Sequence, residues 1–159
     1  MDPRNRLYGV SPAEFTRERD ALAKQLKAAG KEDEAKQIAA LRKPTAVLWT
    51  VNQLGRRSRR QVDALIEAAE KMRRAHKSGD SEALRAAMQE QREALRSLEQ
   101  AAHEAAGEIG SKPTLDFMRR VQTTAQSAAA GEPEKLREGT LDEELEAAGQ
   151  RSTRAQARI

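Results

Sequence analysis

The sequence predicts an all-α protein: short N-terminal helices packed on a long antiparallel, heptad-patterned helical hairpin, with further helices C-terminal to it. Three observations carry that expectation. The composition is 38% hydrophobic and 34% charged but 3% aromatic, with abundant alanine, so strand formers are too scarce for a sheet. Apolar residues recur at steps of three and four from Val62 to Ile109. Gly30, Pro44, Gly55 and Gly79 fall between the periodic stretches, where helices stop.

Taken in chain order, the first helix opens at "VSPAEF". Ser11 suits the N-cap, Pro12 the first helical position and Glu14 the third, which completes a capping box. Val10 and Phe15 are placed for a hydrophobic staple. Phe15, Leu22, Leu26 and Ala29 share a face, and Gly30 ends the helix. A second helix is expected from about Lys31 to Arg42, with Glu32, Asp33 and Glu34 in the first turn, where the helix dipole favours acids. After Pro44, a short helix over 45–54 is apolar on most of its circumference through Val47, Leu48, Trp49, Val51 and Leu54, which marks a buried helix. Gly55 is expected to end it.

The hairpin comes next. Ser58 with Gln61 offers another capping box, and Val62, Leu65, Ala69, Met72 and His76 form a first seam. "SGD" at 78–80 turns the chain. Leu84, Met88, Gln91, Leu95, Leu98, Ala102, Ala105 and Ile109 form a second seam. A helix over 114–129 follows, broken at Gly131 and Pro133. One helical turn is then expected, closed by Gly139, and a short helix capped by Thr140 with Glu143 at its third position. The tail "QRSTRAQARI" has three arginines, no acid and no apolar periodicity until Ile159, and is expected to be disordered or only conditionally helical. The units are therefore 1–57, an N-terminal helical subdomain; 58–110, the hairpin; 111–149, the C-terminal helices; and 150–159, the basic tail.

Composition also excludes several chemistries. With no cysteine there is no disulfide, thiolate metal site or cysteine nucleophile. The sequence holds no nucleophile elbow, P-loop, dinucleotide fingerprint or paired-histidine zinc motif. Its histidines are His76 and His103; Glu99 and His103 lie one turn apart, but the inward positions there are Leu98, Ala102 and Ala105, so the pair reads as a solvated one. No catalytic residue, metal site or cofactor is expected. The N-terminus lacks an apolar signal core, and no run approaches the roughly 18 apolar residues of a membrane span. These features predict a cytoplasmic protein with no membrane partner.

Charge is more informative. Net charge is +4, but residues 1–60 carry 14 Lys/Arg against 7 Asp/Glu, and residues 61–110 carry 7 against 10. No acid occurs between Glu34 and Asp63, whereas seven bases do. Arg42 and Lys43 precede the apolar helix; Arg56, Arg57, Arg59 and Arg60 follow it. Cations at a helix start oppose the dipole, and a bound phosphate would reverse that penalty. The competing reading is a solvated basic turn, or arginines paired with acids of neighbouring helices. Trp49 likewise has two readings, stacking on a base or anchoring the core; its apolar neighbours favour the core. The arginines are expected to be exposed.

The segment from Leu7 to Arg57 resembles the N-terminus of a widespread group of uncharacterised alanine- and arginine-rich helical bacterial proteins. The shared features are P-x-E-F at Pro12–Phe15, R-D-x-L at Arg19–Leu22, A-L-R-K-P-T at Ala40–Thr45 and W-x-x-N-Q-L at Trp49–Leu54. A C-terminal G-x-L-x-x-E-L element matches at Gly139–Leu145. The resemblance covers the first 57 residues well and the middle by pattern. It implies a helical fold and lends no catalytic residues. Members often continue into long charged tails, whereas this chain ends in a short basic one.

Two functions follow as expectations, both non-enzymatic. One is sequence-nonspecific nucleic-acid binding to the phosphate backbone through Arg42, Lys43, Arg56, Arg57, Arg59 and Arg60. The alternative is a scaffold or adaptor whose hairpin docks a protein partner or a second copy of the chain.

Overall fold

The computed structural model describes residues 2–146; the basic tail over 150–159 and the end of the unit expected over 111–149 lie outside that range. The described residues form eight helices and no strand. They are α1 (Pro3–Leu7), α2 (Pro12–Ala28), α3 (Glu32–Ala39), α4 (Ala46–Arg57), α5 (Arg59–Ser78), α6 (Ser81–Glu108), α7 (Leu115–Gly131) and α8 (Pro133–Glu138). The all-α class holds.

Local chemistry explains most boundaries. Gly30 and Gly79 adopt positive φ values of 79° and 71°, the left-handed conformation in which glycine carries no Cβ penalty, and end α2 and α5. Thr45, Asp80 and Thr114 cap α4, α6 and α7 by accepting from Leu48 N, Ala83 N and Phe117 N. Ser11 and Ser58 stand at the N-caps of α2 and α5, but neither side chain makes a capping bond, so the expected capping boxes do not form.

Two apolar clusters organise the packing. Leu7, Phe15, Leu26, Ala35 and Ile38 form a small one among α1, α2 and α3. The larger one joins α4 to α5, α6, α7, α8 and the segment after α8. Val47, Leu48, Val51 and Leu54 of α4 belong to the larger core.

Three expectations are corrected. Gly55 does not end α4; the helix continues to Arg57. A Cβ at position 55 would lie 1.9 Å from the carbonyl oxygen of Leu136, so this glycine admits the close approach of α8. The short helix expected after Thr140 is not formed over residues 140–146. There the Asn52 side chain bonds both the N–H and the C=O of Leu141, and Thr124 Oγ1 does the same for Leu145. Those bonds occupy groups that a helix would need for itself. The third correction concerns the seams. α5 and α6 pack along each other, but between Ala69 and Ala94 the buried residues are Ala75 and Ala87. Met72, Leu84 and Gln91 are half-buried, and Met88 is 40% exposed. Small alanines allow close approach of the two helices and leave the larger heptad residues on one flank of the contact.

Candidate functional site

α4 is the hub of the chain, and its polar side chains do the joining. Trp49, Gln53 and Arg56 fall at helical spacing on one face. Trp49 Nε1 donates to the carbonyl oxygen of Val10 at 2.8 Å, and Gln53 Nε2 donates to that of Tyr8 at 3.1 Å. Arg56 donates to both the backbone oxygen and the Oδ1 of Asn5, and its Nε donates to Gly139 O at 3.3 Å. Asn52, on the adjoining face, takes Leu141. Four side chains of the W-x-x-N-Q-L-G-R stretch thus tie the segments before α2 and after α8 to one central helix. Every buried side-chain nitrogen and oxygen among the described residues has a partner.

That arrangement divides the six expected site residues. Arg42 and Lys43 lie just before α4, and Arg56, Arg57, Arg59 and Arg60 lie at its far end. α4 has 12 residues, so the two groups are separated by about 18 Å along the helix axis. Arg56 is half-buried among the bonds just described, and burial pushes its guanidinium pKa down from the ordinary value. Arg57 pairs with Glu108 and lies 5.7 Å from the centre of the Trp49 ring. Arg59 donates to Arg137 O at 3.1 Å, a carbonyl in the last turn of α8, where the dipole favours a cation. Arg42, Lys43 and Arg60 are exposed and form no ion pair or hydrogen bond among the described residues. The expectation of four exposed arginines over 56–60 fails at Arg56, because a guanidinium fork fits two backbone carbonyls and an amide there. Trp49 is buried, at 3% exposure.

The free pair Arg42 and Lys43 faces a groove of about 810 Å³ between the start of α4, α7 and the 142–146 segment. Arg119 and Arg120 line the same groove, and so do Asp142, Glu143, Glu144 and Glu146. Arg120 makes a two-bond fork with Glu144, at 3.0 and 2.7 Å, which holds the Arg120 pKa above its ordinary value. Thr45 donates to Glu144 as well, at 2.9 Å. Bases and acids therefore share the groove in equal number, which does not make the uniform positive field of a nucleic-acid channel.

His76 and His103 are exposed. No group of three His, Asp or Glu side chains among the described residues is arranged to hold a metal ion. None of the described helices is long and apolar enough to cross a membrane.

A different surface draws attention. On α6, Leu95, Leu98 and Ala102 line a narrow cleft with Leu54 of α4 and with Met118, Val121 and Ala125 of α7. Met88 is one heptad before Leu95, and Leu84 is four residues before Met88, so both lie on the same face of α6. α4 and α7 cover that face at Leu95 and beyond; towards the turn Met88 is 40% exposed and Leu84 half-buried. Sequence reading counted Leu84 and Met88 as seam residues because periodicity reports a face and not its partner. It passed over Asn52 and Gln53 as site residues, although two amides inside an apolar helix are a signal that something polar must meet them.

Comparison with protein-family models, with curated proteins and with solved structures gives no match.

Proposed function

We propose that this chain is a non-enzymatic cytoplasmic docking protein. In this reading α5 and α6 form an antiparallel hairpin arm that receives a helix of a protein partner. One observation carries it: the apolar face of α6 that α4 and α7 cover at Leu95, Leu98 and Ala102 runs on beyond them through Met88, which is 40% exposed, and the half-buried Leu84. A face that buries two helices at one end has the spacing to bury another beyond them. The kinship with the alanine- and arginine-rich bacterial group belongs to the same proposal, with the tryptophan motif serving assembly of the fold. A photoreactive side chain at position 88 of the intact protein tests the reading in cells, against the same probe at position 100, which is exposed on another face. A discrete protein adduct from 88 and not from 100 is expected. Equal adducts from both positions, or none from either, would remove the reading.

A second reading is supported by the free cations. Arg42, Lys43 and Arg60 stay exposed and unpaired among the described residues, and could contact phosphates without base specificity. Three such contacts predict a log–log salt slope of about −2.7 on duplex DNA. Fluorescence anisotropy with duplex DNA and structured RNA checks it; absence of binding at about 50 mM salt ends this reading.

A further inference from the structure

We infer that the helix received by the α5–α6 arm is amphipathic and carries acidic residues along the edges of its apolar stripe, and that it lies across Met72, Leu84 and Met88. The inference rests on the docking reading and adds the chemistry of the partner.

The face has an apolar middle and a basic edge. Met88 is 40% exposed, Leu84 and Met72 are half-buried, and no other described helix contributes to the main core between Ala69 and Ala94 of the arm. Arg85 and Arg92 stand three residues before and four residues after Met88, which makes them its immediate neighbours on the α6 surface. Arg96 follows four residues after Arg92 on the same line. All three are exposed and none has an acidic partner among the described residues. Arg92 donates to the Gln89 side chain at 2.7 Å. On α5 the residue after Met72 is Arg73, also exposed and unpaired among the described residues. The opposite edge of the arm differs: there Lys71 of α5 is already matched by Glu90 of α6 at 3.1 Å. Glu82 and Glu93 stand three residues before Arg85 and Arg96, away from the apolar stripe, and neither forms an ion pair with them among the described residues; Glu99 sits at the covered end, lining the cleft with Met118 and Gln122.

Charge complementarity selects the occupant. A second copy laid antiparallel on the same face by two-fold symmetry would bring Arg85, Arg92 and Arg96 against their own equivalents, and like charges at an interface are unfavourable. A lipid surface would accept the arginines but needs a longer apolar face than three side chains. A helix with leucines in its stripe and glutamates beside it satisfies both the methionine-rich middle and the arginine edge. Methionine suits such a surface because its unbranched side chain adapts to the partner.

The test uses the full chain and two designed helical peptides with one apolar stripe, flanked by glutamates in one and by lysines in the other. Binding is followed by fluorescence anisotropy at low and high salt. The glutamate peptide should bind about tenfold more tightly than the lysine peptide. The gap should close at high salt and in an Arg85→Gln, Arg92→Gln, Arg96→Gln variant. Met88→Glu, at an exposed position that leaves the fold intact by circular dichroism, should abolish binding of both peptides. Equal affinity for the two peptides overturns the acidic partner and leaves the docking face standing. Binding that survives Met88→Glu unchanged, or no binding of either peptide, overturns the docking face itself. A concentration-dependent dimer that Met88→Glu dissolves would make a second copy the occupant and overturn the inference.

Discussion

The side-chain amide of Asn52 completes a two-bond pairing with one backbone unit: its Nδ2 donates to Leu141 O at 3.0 Å, and its Oδ1 accepts from Leu141 N at 2.8 Å. Asn52 is 1% exposed and Leu141 is fully buried. The amide stands in for a backbone partner, holding the non-helical segment after α8 against a helix. Asn52→Ala leaves a buried N–H and a buried C=O without partners, at about 1–3 kcal/mol each. Urea unfolding should therefore show a loss of about 2–5 kcal/mol. Hydrogen exchange should show faster exchange at Leu141 and Leu145 than the global loss alone explains. An unchanged unfolding midpoint would refute the pairing.

Gly55 reverses an ordinary rule. Alanine in place of a mid-helix glycine stabilises by roughly 0.5–1 kcal/mol. Here the new Cβ meets Leu136 O at 1.9 Å and Gly139 N at 3.1 Å, both backbone atoms. Gly55→Ala should instead destabilise by about 1–3 kcal/mol or more, through displacement of α8. A thermal melt that rises on this substitution would mean that α8 yields easily.

The arginines after the tryptophan should separate by role. Arg56→Gln removes charge-assisted bonds to Asn5 and Gly139. Its cost should be about 1.5–3 kcal/mol. Arg60→Gln, at an exposed position, should stay within about 0.5 kcal/mol. Chemical denaturation of the two single variants compares them directly, and equal effects would show that Arg56 is not an anchor.

Tyr8 offers an optical probe, since the chain holds one tyrosine. It is 2% exposed and tilts against Phe15 at a ring separation of 6.5 Å. Burial raises its pKa above the ordinary 10.0, and the hydrogen bond with Arg4 opposes that without cancelling it. The folded state therefore holds the phenol proton longer than the unfolded state does. Its contribution to stability is intact below the ordinary pKa and is lost as pH rises through the folded value. Absorbance titration of the phenolate should give a midpoint above 10 in buffer that returns to about 10 in denaturant. Tyr8→Phe should remove that part of the alkaline decline in stability.

Periodicity and punctuation made the helices legible: nearest-neighbour forces decide where 3.6-residue periodicity begins and where Gly30 and Gly79 end it. The same reading placed Trp49 in the core, because an apolar circumference has few other destinations. Partners were not legible. Arg56 and Arg60 look alike in the chain, yet one grips Asn5 and Gly139 while the other faces solvent. Gly55 looks like a stop and is a contact point, because the atom it avoids belongs to Leu136, 81 residues away in sequence. Leu141 and Leu145 carry a helical spacing but lie in a non-helical segment, since Asn52 and Thr124 take their backbone groups. Leu84 and Met88 share a face with Leu95, and only the positions of α4 and α7 leave Leu84 half-buried and Met88 exposed. Local propensity and hydrophobic period are properties of neighbouring residues and can be read along the chain. Which polar group meets which carbonyl, and where a face runs out of cover, are set by long-range packing, which the tertiary structure alone decides.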